Sequence, residues 1–140
     1  MTYFVDLNVT LDLFLPNRLN LFVSRAFFAA AAKAQVKLVL SPHLVTTGWY
    51  LMEKHADKET ATLGVNFIHN RFQFAKLERE HVAAALVSEA RDFEDAICIE
   101  VAKGADCDCI VIGNIKDFKT SPIEVLTPAD ALLRISKPSE

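Results

Sequence analysis

Two hydrophobic rhythms alternate along this chain. Short, nearly unbroken apolar runs occur at residues 3–5, 37–40, 72–75, 109–112 and 123–126. Between them lie longer stretches whose apolar residues recur at helical spacing. Ile110, Val111 and Ile112 are β-branched and apolar, which suits a strand buried on both faces. Residues 9–15 read as one or two helical turns stopped by Pro16. Asn17 is placed to cap a helix with its body at about 19–34, where Leu21, Phe22, Arg25, Phe28, Ala29 and Ala32 share helical spacing. Ser41 followed by Pro42 is a helix-start pair for residues up to about His55. Asp57 opens a further helix to about Asn70, and a helix is expected over 78–90 with Val82, Ala85 and Leu86 in register. Asp92 caps the segment FEDAICIEVAKG, which Gly104 closes as a left-handed cap, and Thr127 caps a last helix, PADALLRI.

Strands alternating with helices predict an α/β fold, a three-layer α/β/α sandwich around a mainly parallel sheet of about five strands. The length of 140 residues predicts a single domain over 1–135 with a short tail at 136–140. Half the chain (51%) is hydrophobic, enough for a packed core. The net charge of −3 gives no support for binding nucleic acid by bulk charge, and leaves room for cations that bridge to phosphate. Cys98, Cys107 and Cys109 form neither a disulfide framework nor a zinc-knuckle spacing, so they are expected as reduced thiols in or near the core. The dispersed His43, His55, His69 and His81 lack a zinc partner. The four scattered glycines exclude a phosphate-cradling loop, and with it nucleotide-dependent redox or kinase chemistry. The start MTYFVDLN lacks the pattern of a secretory signal, and no run reaches the roughly 18 apolar residues of a membrane span. A reducing cytoplasm is the expected setting.

The candidate chemistry lies just beyond the strand ends. In an open parallel sheet, ligands gather outside the carboxyl ends of the strands. Asp6 comes after the first strand, Asn114 and Asp117 after the fourth, and Asp92 and Asp95 start the helix that feeds the fourth. Each has a structural explanation of its own: a strand end, a helix cap, a dipole partner, a turn. Together they bring four acids to one edge from three segments. Carboxylates held close repel unless a cation compensates, and Mg²⁺ or Mn²⁺ are the hard ions that take such oxygens. Such an ion lowers the pKa of a water and neutralises charge building on a phosphoryl group, the chemistry of nucleases and phosphatases.

Two stretches resemble the PIN-domain family, of which many bacterial members are VapC-like toxins. FVDLNVTLDLF (4–14) resembles its opening motif, a strand delivering an Asp with an Asn two residues later. RDFEDAICIEVAKGADCDCIVIGNIKDFKTSPIEVLTPADAL (91–132) resembles its C-terminal half more specifically: an acidic helix, a strand, an Asn-x-x-Asp-Phe turn, a strand and a helix. The resemblance implies a metal-dependent ribonuclease acting on RNA, often the toxin of a type II toxin–antitoxin module, inhibited by a small antitoxin and commonly a homodimer. Carried over by position, Asp6, Asp95 and Asp117 match the metal-site acids. Asp92 and Asn114 match accessory polar positions, and Asn8 matches the Asn of the first motif. The pattern is broken at Thr47, which stands where the family usually has a Glu. Threonine supplies a hydroxyl but no anionic ligand. Glu53, six residues on, faces away by helix geometry. The alternative implied by Thr47 is a PIN-like domain that has lost catalysis and binds RNA or a protein.

Other residues fit either packing or contact. Trp49 and Tyr50 suit core or dimer packing, with base stacking as the alternative. Phe22, Phe27 and Phe28 suit a thick core, a dimer surface or an antitoxin groove. Lys116, Lys119, Arg91 and Lys103 lie near the proposed mouth along the sequence, as phosphate contacts or as solvated charges.

Overall fold

Among the described residues the β-branched and aromatic runs form five short strands: β1 (Thr2–Val5), β2 (Lys37–Leu40), β3 (Phe72–Phe74), β4 (Cys109–Val111) and β5 (Glu124–Leu126). This computed structural model describes residues 1–90, 92–118 and 120–137, with Asp117 described in its backbone alone. All strand pairs are parallel, in the order β3-β2-β1-β4-β5. The chain therefore steps outward from β1 in one direction and then returns to fill the other side. The reversal lies between β1 and β4, which pair as Tyr3 with Cys109 through Val5 with Val111. Phe4, Val5, Cys109, Ile110 and Val111 are buried, as the middle of a sheet covered on both faces requires.

Among the described residues the segments of helical spacing form seven helices: α1 (Leu7–Phe14), α2 (Leu21–Lys33), α3 (His43–His55), α4 (Lys58–Arg71), α5 (Arg79–Leu86), α6 (Phe93–Gly104) and α7 (Pro128–Ser136). They pack in two groups: α1 against α2, α3 and α4, with α7 against α2, and separately α5 against α6. Phe28, Phe67 and Phe72 join α2, α4 and β3 through edge-on ring contacts of 5.1–6.4 Å. Asp57 accepts from Thr60 N (2.7 Å) and Thr127 from Asp130 N (3.1 Å), the caps expected from the sequence. Cys98, Cys107 and Cys109 are buried free thiols.

Five local expectations are corrected. Asn17 does not cap α2; it adopts a left-handed conformation (φ 61°) and turns the chain, so that α2 begins four residues later. The Ser41 hydroxyl bonds to His43 Nδ1 (2.7 Å) instead of capping α3, whose N-cap position is taken by Pro42. The helix expected over 78–90 stops at Leu86 and leaves Val82 and Leu86 exposed, because only Ala85 reaches the core. No glycine among the described residues has a positive φ; after α6 it is Asp106 (φ 54°) that turns left-handed. Gly104 serves a different end. A Cβ there would lie 2.8 Å from His81 Nε2, so its missing side chain makes room for that ring. Ser136, expected in the tail, closes α7, and residues 138–140 lie outside the described residues.

Candidate active site

A cleft of about 330 Å³ opens at the carboxyl edge of the sheet, beside the junction of β1 and β4. The pairing of these strands brings its polar groups together. Asp6 N donates to Val111 O (2.9 Å), which sets the residue after β1 beside the end of β4. From there Asp6 serves as N-cap of α1, and its Oδ2 accepts from Asn8 N (3.3 Å) and Asn8 Nδ2 (3.2 Å). Burial pushes the Asp6 carboxyl above its ordinary value. The Asn8 hydrogen bonds oppose that rise, and the nearby Glu94 charge adds to it.

Asp95 enters the cleft from the first turn of α6. Its backbone N–H is held by Asp92 Oδ1 (3.0 Å), so Asp92 acts on the cleft through the helix it caps and is not itself part of the lining. Asn114 lines the cleft from the loop after β4, where its Oδ1 accepts from Lys116 N (3.2 Å) and starts the 3₁₀ turn Ile115–Phe118. Asp117 sits in that turn, and its side chain lies outside the described residues. The buried Cys98 thiol reports the charge around it. Burial raises its pKa most, and Asp6, Glu94, Asp95 and Asp92 each raise it further.

The structure thus joins Asp6, Asn8, Asp95 and Asn114 in one cleft. Thr47 is not among the lining residues; its hydroxyl donates to His43 O (3.3 Å) within α3. Among the described residues no three His, Cys, Asp or Glu side chains come close enough to hold a metal ion. The donors that do converge are carboxylate and amide oxygens, the set that suits a hard divalent cation.

The sequence pattern missed three contributors. By its position Glu94 is only a helix-dipole partner, yet its charge reaches Asp6. Asp12 and Arg18 also line the cleft, and a salt bridge of 3.1 Å joins them. Of the basic residues named from sequence, Lys103 is eight positions along α6 from Asp95 and pairs with Glu100 (3.2 Å), so it does not serve this mouth. Lys116 is exposed and outside the lining. Arg91 and Lys119 lie outside the described residues.

Comparison with known proteins identifies the family and the fold. The family model described as PIN domain matches residues 2–116, and the chain belongs to that family. It is 30% identical over 129 residues to Ribonuclease VapC1 of Aquifex aeolicus, covering 89% of this chain and 88% of that protein. Two solved structures share the fold. One is VapBC2 from Rickettsia felis bound to a DNA fragment from its promoter, with TM-score 0.67 and 16% identity over 91% of this chain and 98% of that one. The other is VapC20 from Mycobacterium tuberculosis, a toxin that cleaves the sarcin–ricin loop, with TM-score 0.68 and 13% identity over 84% and 95%. No helix among the described residues is long and apolar enough to cross a membrane.

Proposed function

We propose that this protein is a VapC-like endoribonuclease that uses Mg²⁺ or Mn²⁺ and serves as the toxin of a type II toxin–antitoxin module. One observation carries the reading: Asp6 and Asp95, from different elements, line one cleft with Asn114 at the sheet's reversal point. The ribonuclease named among its relatives supports the same chemistry. Asp6, Asp95 and Asp117 would hold the ion, with Asp92 positioning Asp95 through the helix it caps. When bound, the cation supplies neutralisation of charge on the phosphoryl group and a lowered pKa for water.

The chain's own residues prepare this chemistry. Both Asn8 donors engage Asp6 Oδ2 and so fix the carboxylate at the head of α1. Asp92 fixes the first turn of α6, and so the direction from which Asp95 approaches. Asn114 is oriented by Lys116 N and presents its amide beside the acids. A small antitoxin and a second copy of the chain are the proposed protein partners. The antitoxin is supported by the complex from which one structural neighbour comes.

Thr47 favours a second reading, a scaffold that binds RNA or protein without turnover. Its hydroxyl is engaged by His43 O, and α3 offers the cleft no carboxylate. Cleavage of a mixed RNA pool in Mn²⁺, Mg²⁺ or EDTA separates the two, with wild type, Asp6→Asn and Thr47→Glu side by side. The nuclease reading expects cleavage by wild type that EDTA and Asp6→Asn abolish. Silence from wild type with activity in Thr47→Glu would establish the second reading.

A further inference from the structure

The acidic cleft contains a cation that the metal chemistry does not use. Among the described residues Arg18 is the one basic side chain in its lining. The left-handed Asn17 turns the chain so that Arg18 folds back over α1. Its Nε donates to Asp12 Oδ1 (3.1 Å), and its Nη2 donates to Asn8 O (3.4 Å) and Asn8 Oδ1 (3.3 Å). Asp12 is buried and is held from behind by the hydroxyl of buried Ser24, which donates to Oδ2 (2.8 Å). The guanidinium is therefore fixed on one edge by a built network. Among the described residues nothing pairs with Nη1, and the side chain keeps 31% of its surface open.

We propose that Arg18 is a phosphate-contacting residue of this cleft, binding the RNA backbone through the guanidinium edge that Asp12 and Asn8 leave free. The inference rests on the nuclease reading and goes beyond it. A phosphodiester entering between Asp6 and Asp95 meets like charge, and a fixed planar donor set offsets that repulsion at a defined position. Pairing with Asp12 takes away mobility and leaves N–H groups available, since a guanidinium carries five. A lysine there would keep the charge and lose the fork.

The test compares wild type, Asp12→Asn, Arg18→Lys and the double variant Asp12→Asn/Arg18→Gln. The double variant removes both charges at once, so no buried carboxylate is left unpaired, and its thermal melt is checked against Asp12→Asn. Binding of a short, fluorescein-labelled single-stranded RNA is measured by anisotropy in EDTA across a KCl series, and KM and kcat for its cleavage are measured in Mn²⁺. The double variant is expected to bind about tenfold more weakly, the scale of one charge-assisted contact. The slope of log affinity against log salt should fall by about 0.7, the share of one phosphate on a single strand. The same change should appear in KM more than in kcat. Arg18→Lys and Asp12→Asn should each keep the wild-type slope. Wild type that cleaves, with KM and salt slope unchanged in the folded double variant, overturns the phosphate contact and leaves the nuclease reading standing. Wild type that neither binds nor cleaves RNA overturns both.

Discussion

Ser24 is the least conspicuous member of the network behind Arg18, and its replacement by alanine is the most direct probe of it. Both Ser24 and Asp12 are buried, and their 2.8 Å hydrogen bond is the second polar anchor of the Asp12 carboxylate beside Arg18. A hydrogen bond to a charged group contributes about 1.5–3 kcal/mol. Alanine recovers about 0.5 kcal/mol through its better helix propensity inside α2. The expected net loss is about 2 kcal/mol, or a melting point lower by about 6–10 °C for a domain of this size. In an Asp12→Asn background the acceptor is neutral, and the same substitution should cost about 1 kcal/mol less. Urea unfolding monitored by circular dichroism gives all four corners of the cycle, provided the m-value is unchanged. Arg18 is partly open to solvent, so its own share in the stability of the pair is expected to be smaller than that of a fully buried ion pair. A Ser24→Ala loss below about 0.5 kcal/mol, the range of an ordinary surface substitution, would refute the claim that this hydroxyl supports a buried charge. Equal losses in both backgrounds would refute its dependence on the Asp12 charge.

Burial raises the Asp6 carboxyl, so its stabilising share is present below the ordinary carboxylate value and lost as pH climbs through the folded one. Without metal, Asp6→Asn should therefore melt higher than wild type at neutral pH, with the gap closing in acid, while the rise in melting temperature that Mn²⁺ gives wild type disappears. A metal-free melt of Asp6→Asn equal to wild type at every pH would remove the buried-charge account. Cys107 and Cys109 are raised by burial to about 11 and about 12, and Cys98 is raised well above the ordinary value, so none should react with Ellman's reagent in the native state. All three should titrate once urea unfolds the chain, and a rapid native reaction would contradict their burial. Asn17→Val places a β-branched residue at φ 61° and should cost about 1–2 kcal/mol in urea unfolding, whereas Asn17→Gly should cost far less.

The parts of the fold that could be read from sequence are those decided by local chemistry. The runs that became β1, β2 and β4 are apolar on both faces, and a strand at the centre of a covered sheet needs that. Asp57, Asp92 and Thr127 each cap within three residues, a contact that depends on nothing distant. Differences arise where tertiary contacts choose among equal local options. Val82 and Leu86 fit helical spacing, but α5 reaches the core only through Ala85, and Ser88 Oγ accepting from Ala90 N (3.0 Å) marks a turn in place of more helix. Gly104 has the residue type of a left-handed cap, yet it stays within α6, and its missing side chain makes room for the His81 ring, a neighbour from another helix.

The site divides along the same line. Asp6, Asp95 and Asn114 come after strands or start helices, so the parallel topology alone assembles them at one edge. Asp12 and Arg18 obey no such rule. They are six residues apart, which is not a helical contact spacing, and Pro16 lies between them. In LDLFLP, Asp12 reads as the polar residue of an otherwise apolar turn, with nothing to mark it as buried. The left-handed Asn17 brings Arg18 back to it, and the same residue type serves equally well as the helix cap that its position suggests. Ser24, twelve residues from Asp12, completes the network from another helix. Lys103 shows the opposite failure. It stands close to the acidic motif in sequence, but eight residues of α-helix carry it about 12 Å along the axis from Asp95. A basic residue's place in such a cleft is thus decided by how the chain turns, because a helix carries sequence neighbours apart while one left-handed residue folds the chain back on itself.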